Sequence, residues 1–209
     1  VSVSLAETLL AGWLLEQASL HVPQGPMTVA MGSCAKPLRI REGNLHGSAR
    51  GVPFPAFADH VACVAVSESG PQVVLVKTES VDIEASLGMV EDELGQMVFN
   101  CAPAVAAAPL PNTSGPEDIM LMGAAMRAQQ IAGALQAVLD LSVSYAHERH
   151  AFGRPIAKFQ AVQQNLARLA GETAAAKAVA ASAGDTINHA ETFDVAVFLE
   201  VAAAKIRCG

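Results

Sequence analysis

Hydrophobic positions change their rhythm twice along the chain. Over residues 4–20 they recur at helical spacing: Leu5, Leu9, Trp13 and Leu20 fall near one face, and Ser4 followed by Glu7 makes a capping-box pattern. Pro23, Gly25 and Pro26 end this short helix. From about 27 to 108 the rhythm shifts to short β-branched runs between turn residues. It predicts strands over Met27–Ala30, Leu38–Arg41, Asn44–Gly51, His60–Val66 and Gln72–Lys77, with a weaker one around Met97–Ala102. Glu42-Gly43-Asn44 and Glu68-Ser69-Gly70 read as hairpin turns.

Residues 103–117, with Pro103, Pro109, Pro111, Gly115 and Pro116, read as a linker. Beyond it the spacing is helical. One long helix is expected over Glu117–His147, where Ile131, Leu135 and Leu139 recur every fourth residue. A second is expected over 156–184, on Phe159, Val162, Leu166, Leu169 and Thr173, and a third over 190–207 after a break at Gly184-Asp185. The third is apolar nearly all round, which predicts burial. The fold class is therefore α+β: a short N-terminal helix, a small antiparallel β-barrel or sandwich, then an antiparallel helical bundle. The expected domains are 1–25, 26–108 and 117–209, the first reading as the remnant of an N-terminal helical domain. No internal repeat is evident.

Composition narrows the function classes. The chain is 52% hydrophobic and 16% charged with net charge -7, and carries no basic run, which argues against nucleic acid as a partner. The longest apolar stretches are interrupted by Lys, Glu or Gly, so no membrane span is expected. Cys34, Cys63, Cys101 and Cys208 share no CxxC or zinc-type spacing, and their scatter without a signal peptide predicts a reduced, cytoplasmic setting. Val1 is not an initiator methionine, and Gly209 closes the chain just after an apolar helical run. Both ends read as those of a fragment of a longer polypeptide.

The most informative string is Tyr145-Ala-His-Glu-Arg149-His-Ala-Phe152-Gly153-Arg-Pro155-Ile156-Ala-Lys-Phe159-Gln160, continued by Gln163, Leu166 and Ala167. It describes one helix ending, a tight turn and a second helix beginning. An Arg at a helix C-terminus suits the dipole, and aimed past the turn it is a natural clamp for phosphate or pyrophosphate. Gln160, early in the next helix, can reach a ligand held by the same turn. Phe152, Ile156 and Phe159 equally suit a helix hairpin locked by apolar contacts.

The whole string resembles the acyl-CoA dehydrogenase pattern Y-x-x-x-R-x-x-F-G-x-x-(I or L)-x-x-x-Q, with every fixed position at its spacing. Arg127 followed by Ile131-Ala-Gly-Ala-Leu135 is similar to the family helix that opens with an Arg near flavin and substrate. Asn44-Leu-His-Gly47 with Asp59-His60-Val61 resembles its β-domain hairpin. The resemblance implies FAD, its pyrophosphate held across a dimer interface by Arg149 and Gln160, with Phe152 packed nearby and Arg127 towards substrate. It further implies an acyl-CoA thioester substrate and a place in fatty acid oxidation or other lipid metabolism. Electron-transferring flavoprotein is implied as acceptor, and a homo- or hetero-oligomer as the assembly.

Against that pattern, several positions depart. The family's flavin-contacting Thr corresponds to Ala30, in Thr28-Val29-Ala30-Met31. Its aromatic–aliphatic–Thr run corresponds to Gly51-Val52-Pro53. A minority of the family place the catalytic carboxylate just before the Arg matching Arg127, and Met126 stands there. Glu117 and Asp118 lie more than two helical turns upstream, where they suit the helix dipole. The catalytic base is therefore unassigned. The retained and lost positions leave two expectations: a FAD-dependent dehydrogenase converting acyl-CoA to enoyl-CoA, or a catalytically incompetent subunit that completes a partner's flavin site. A flavoprotein of the same fold with different chemistry is a third.

Other clusters offer less. His147 and His150 lack a completing ligand, so no metal is expected. Asp59 and His60 make a possible base–orienter pair at a solvated strand start. Ser142 and Ser144 have no triad context. Met120, Met122 and Met126 form a packing stripe, and the alanine-rich 174–183 favours close helix approach or an oligomer interface.

Overall fold

The computed structural model describes residues 4–87, 93–111 and 115–209, apart from the side chains of Ala85, Leu87 and Pro116. The chain divides into two compact units, Val1–Ile119 and Met120–Gly209.

The first unit opens with α1 (Leu5–Gln17). Its buried face is Glu7, Ala11, Leu14 and Leu15, whereas Leu5 and Leu9 are exposed. The expected face is thus corrected: with apolar residues all round the helix, packing and not spacing selects the side that is covered. The capping box does not form either, since Ser4 makes no side-chain cap hydrogen bond.

Seven strands follow: β1 (Met27–Met31), β2 (Leu38–Arg41), β3 (Asn44–Pro53), β4 (His60–Ser67), β5 (Gly70–Lys77), β6 (Asp82–Leu87) and β7 (Glu93–Pro109). A single 3-10 turn, Thr78–Ser80, leads into β6. β4 pairs with β2, β2 with β3, β3 with β7, β7 with β5, and β5 returns to β4, so the sheet closes on itself as a small barrel. Closure leaves few open edges. The expectation of an all-antiparallel sheet needs one correction, because β4 runs parallel to both β1 and β2. β4 and β5 are covered on both faces, which is why they read as continuous apolar runs: Val61, Cys63, Val74 and Val76 point inward with Phe99 and Met97, while Ala62, Val73 and Leu75 meet α1.

Two expectations about strand limits fail. β6 is absent from the sequence reading, and β7 continues through much of the expected linker to Pro109. Pro103 fits because it falls where the second edge of β7 changes partner, from β6 up to Val98 to β5 from Ala104. No ladder N–H is required there. Residues 112–114 of the expected linker lie outside the described residues.

α2 (Pro116–Glu148) starts with Pro at its first position, and the Asp118 carboxylate accepts the Gly115 N–H at 2.8 Å. In the second unit, α3 (Gln160–His189) runs antiparallel to α2, and α4 (Val195–Cys208) antiparallel to α3, as the cross-helix bonds Gln129 to Ala180 and Ser182 to Glu200 register. The break at Gly184-Asp185 does not occur. Gly184 lies within the continuous α3, where a single glycine is tolerated, and a Cβ there would approach the Gln129 Nε2 at 3.1 Å, so the site favours the smallest residue. α4 begins at Val195, capped by Asp194, whose carboxylate accepts from Ala196 and Val197 N–H. The expected burial of α4 is contradicted: Val197, Val201 and Ala204 are buried, but Val195, Phe198, Leu199 and Ile206 are exposed. Among the described residues no helix is long and apolar enough to cross a membrane.

Candidate functional site

α2 ends at Glu148 and the chain reverses through a two-strand clip, β8 (His150–Ala151) and β9 (Arg154–Pro155). The two residues at its tip, Phe152 and Gly153, have φ of +52° and +75°, the left-handed pair that a two-residue turn of this hand needs. Glycine adopts that conformation freely, but a bulky aromatic does so at a cost of order 1–3 kcal/mol, which marks sites where placement matters. Phe152 is 95% exposed. Behind it, the Phe159 ring takes the edge of Phe152 at 6.2 Å between centroids, and the Arg154 guanidinium lies 4.3 Å over it. Backbone bonds close the base of the clip: Arg149 N–H to Tyr145 C=O and Ile156 N–H to Arg149 C=O, both 2.8 Å. The Gln163 amide donates to Ala157 C=O at 2.9 Å.

This construction brings Arg149 and Gln160 out at one end of the helix pair, both exposed beside Phe152. The electrostatics there oppose those of the chain as a whole. Arg149, Arg154 and Lys158 are exposed and lie within eleven residues of the start of α3 in the chain, and that helix's first turn holds no acidic residue while its cap, Phe159, makes no side-chain cap bond. The Val162 and Gln163 N–H groups bond the Phe159 carbonyl, and an uncapped helix start with cations on the chain before it suits a phosphate or pyrophosphate. Arg154, Lys158 and the α3 N-terminus were not among the residues singled out from the sequence. Their signal lay in the same string, as cations one and five residues past Gly153.

Arg127 is not part of this end. It lies 22 residues before Arg149, about 33 Å along the helix at 1.5 Å per residue. Its Nη1 donates to Gln130 Oε1 at 2.6 Å. One copy of the chain therefore does not gather the four expected residues at one place. Met126 beside it is half-buried.

In the β-barrel, Ala30 is fully buried and faces the core with Leu38, Val61 and Phe99. A hydroxyl at that position would be spent inside the barrel. Thr28, on the same strand face, is also fully buried and donates to the Pro53 carbonyl at 2.7 Å. Gly51 has φ +66°, so an aromatic there would be strained, and its surroundings are open. The possible base–orienter pair does not form: the enclosed His60 Nδ1 has no hydrogen-bond partner, and Asp59 packs over Gly25. Among the described residues no three His, Cys, Asp or Glu side chains are placed to hold a metal.

Comparison with known proteins joins this geometry to a family. Residues 117–209 match the model of the acyl-CoA dehydrogenase C-terminal domain. The acryloyl-CoA reductase (NADH) of Anaerotignum propionicum is 36% identical over 103 residues, covering 46% of this chain and 26% of that protein. Among solved structures, the Tcur3481-Tcur3483 steroid ACAD superposes with a TM-score of 0.77 at 23% identity, over 98% of this chain and 61% of that one. The ChsE4-ChsE5 complex from Mycobacterium tuberculosis does so with 0.70 at 24% identity, over 88% and 51%. At those identities the structural likeness establishes the fold, and the chain spans only part of each relative's length.

Proposed function

We propose, on the premise that this chain belongs to the acyl-CoA dehydrogenase family, that it supplies part of an FAD site at which an acyl-CoA thioester is oxidised across its α,β bond. The observation that carries this is the tip of the α2–α3 hairpin, where Arg149, Phe152 and Gln160 point outward together. Bound flavin supplies the hydride acceptor. Arg149, helped by Arg154, Lys158 and the uncapped α3 N-terminus, neutralises the pyrophosphate; Gln160 hydrogen-bonds it, and Phe152 covers an apolar edge of the cofactor. Because the tip faces away from its own helices, its cofactor belongs to a neighbouring copy or a related subunit. Arg127, about 33 Å away along α2, serves a different site, towards substrate. Electron-transferring flavoprotein is the proposed acceptor. The reverse reaction, reduction of an unsaturated thioester, is the activity named for the Anaerotignum propionicum relative, and it uses the same hydride and proton positions.

A second reading is favoured by four positions. Met126 cannot accept a proton, Ala30 faces the core, Gly51 carries no aromatic, and the Pro53 carbonyl is taken by Thr28. A subunit with a bare flavin-facing side and an intact donor hairpin suits a hetero-oligomer in which it completes its partner's site.

The visible absorption spectrum of the purified protein, alone and co-expressed with candidate partner subunits, separates these readings. A flavin band from the protein alone supports a self-sufficient dehydrogenase, to be followed by assays of acyl-CoA oxidation and enoyl-CoA reduction. Yellow colour only with a partner supports the donor subunit. Colourless protein under every condition overturns flavin binding.

A further inference from the structure

The Phe159 ring is half-buried, yet it belongs to none of the hydrophobic clusters formed by the described residues. What it touches is the tip of the hairpin. We propose that Phe159 is a positioning residue, whose ring fixes the Phe152 ring and the Arg154 guanidinium in place before any cofactor arrives. The inference rests on the flavin reading for what the tip binds, but not for how the tip is ordered.

The backbone of Phe159 is held from both sides. Its N–H donates to the Ile156 carbonyl at 3.0 Å, and its own carbonyl accepts the Val162 and Gln163 N–H groups, each at 3.0 Å. The Gln163 side-chain amide also donates to the Ala157 carbonyl at 2.9 Å, which ties the 3-10 turn Ile156–Lys158 to α3. The ring therefore projects from a fixed support. Phe152 and Arg154 have no such support. They flank Gly153 at the turn, both are exposed, and Phe152 is held at φ +52°. Phe159 meets each of them. The Phe152 ring lies 6.2 Å away between centroids at an interplanar angle of 73°, the edge-to-face arrangement that aromatic quadrupoles favour. The Arg154 Cζ lies 4.3 Å from the Phe159 centroid, and Arg154 makes no ion pair among the described residues.

Side chains on an exposed turn lose rotamer freedom when they engage a ligand, and an arrangement set in advance lowers that cost. A guanidinium held through a π face keeps N–H donors for an anion. The simpler role, locking α2 against α3, is already filled by the alanine-rich core and by the Gln129 amide on the Ala180 carbonyl. The contacts of Phe159 thus order the tip and add little to the bundle.

NMR of the isolated chain reads the arrangement, and FAD titration reads its consequence. In the wild type, the Arg154 side-chain protons are expected upfield of those of other exposed arginines, shielded by the ring beside them. Phe159→Leu, which keeps apolar bulk without a π face, should abolish that shift, and Phe159→Tyr should restore it. In urea, Phe159→Leu should lose its helical circular dichroism together with the wild type. FAD is then titrated into the protein, alone and with the co-expressed subunit that loads it. Phe159→Leu should raise the Kd about two- to tenfold, and Phe159→Tyr should return it to within about twofold of wild type. Unshielded Arg154 protons in the wild type would overturn the proposal, as would a lost shift in Phe159→Leu with unchanged FAD affinity. Early unfolding of Phe159→Leu would overturn it too, by making the ring structural. A shielded Arg154 that responds to Phe159→Leu, in a protein that loads no FAD under any condition, supports the ordered tip and removes flavin as its ligand.

Discussion

In the barrel unit the enclosed side chains are large: Phe99, Met97, Leu14, Leu15, Leu38 and Leu45 are all at or below 1% exposure. In the helical unit no buried side chain among the described residues is larger than valine, and the core is Ala125, Ala128, Ala132, Ala180, Ala183, Val197, Val201 and Ala204. That unit's large apolar residues lie outside, with Leu141, Tyr145, Phe152, Phe198, Leu199 and Ile206 all more than half exposed. Burying a leucine or phenylalanine contributes roughly 1.5–3 kcal/mol, and an alanine far less. The barrel is thus built to stand on its own contacts. The helical unit uses small residues to bring its helices close and keeps its bulky apolar surface for something else. This supports the proposal that its hairpin acts on a neighbouring subunit.

The contrast is easiest to break with a pair of phenylalanines. Phe99→Ala is expected to destabilise the barrel by about 3–5 kcal/mol, and Phe152→Ala to change the stability of the isolated chain by no more than about 0.5 kcal/mol. Trp13 packs against the barrel-side core and is the chain's one tryptophan, so its fluorescence during urea unfolding follows the barrel unit. Far-UV circular dichroism follows the helices. Similar losses from both substitutions would mean that the exposed tip is structural, and the flavin reading would lose its main support.

A pH titration sharpens the same comparison. Desolvation in the barrel core pushes the Cys63 thiol well above its usual range, partly opposed by a hydrogen bond with the Ala30 backbone. The folded state therefore keeps this proton at pH values where the unfolded chain has released it. The stability is fully present below the ordinary thiol range near pH 8.5 and falls as pH rises beyond it, by at most about 1.4 kcal/mol per pH unit. Barrel unfolding followed by Trp13 between pH 7.5 and 10 should show this decline, and Cys63→Ala should flatten it. An equally steep decline in Cys63→Ala would place the linkage elsewhere.

What the sequence disclosed follows from the same division. The hairpin string was legible because each element of it has a local cause: a helix end, a positive-φ turn and a helix start. Thr28 to Pro53, β4 beside β1 and β2, and the path of β7 through Pro103 were not legible, since each depends on partners distant in the chain. α4 misled for another reason. Its apolar residues predict burial only if something covers them, and the composition of one helix does not say what. Of the site residues, Arg149, Phe152 and Gln160 emerge together, and the distance of Arg127 from them was already implicit in the single long helix expected over Glu117–His147, which the structure keeps continuous as α2.

Within the helical unit, adding bulk should be worse than removing it. Ala180→Leu at the fully enclosed contact with α2 is expected to cost about 1–3 kcal/mol by overpacking, while Leu141→Ala, 71% exposed, should change stability by less than about 0.5 kcal/mol. The measurement is helical unfolding by circular dichroism. A large loss from Leu141→Ala in the isolated chain would show that the outer apolar surface already packs within the unit.

The smallest expected effect is at Gly184, and it isolates why the sequence reading put a break there. Replacing a mid-helix glycine by alanine ordinarily stabilises by about 1 kcal/mol, because glycine has more backbone freedom to lose. Here the added Cβ would stand 3.1 Å from the Gln129 Nε2, which donates to the Ala180 carbonyl at 2.7 Å. Moving that amide aside weakens a bond whose net contribution is about 0.5–1.5 kcal/mol. The two effects oppose, so Gly184→Ala should be neutral within about 0.5 kcal/mol. In a Gln129→Ala background the obstruction is gone, and the same Gly184→Ala should then stabilise by close to the full helix-propensity gain. Equal effects in both backgrounds would mean that the glycine is not held there by the close approach of Gln129.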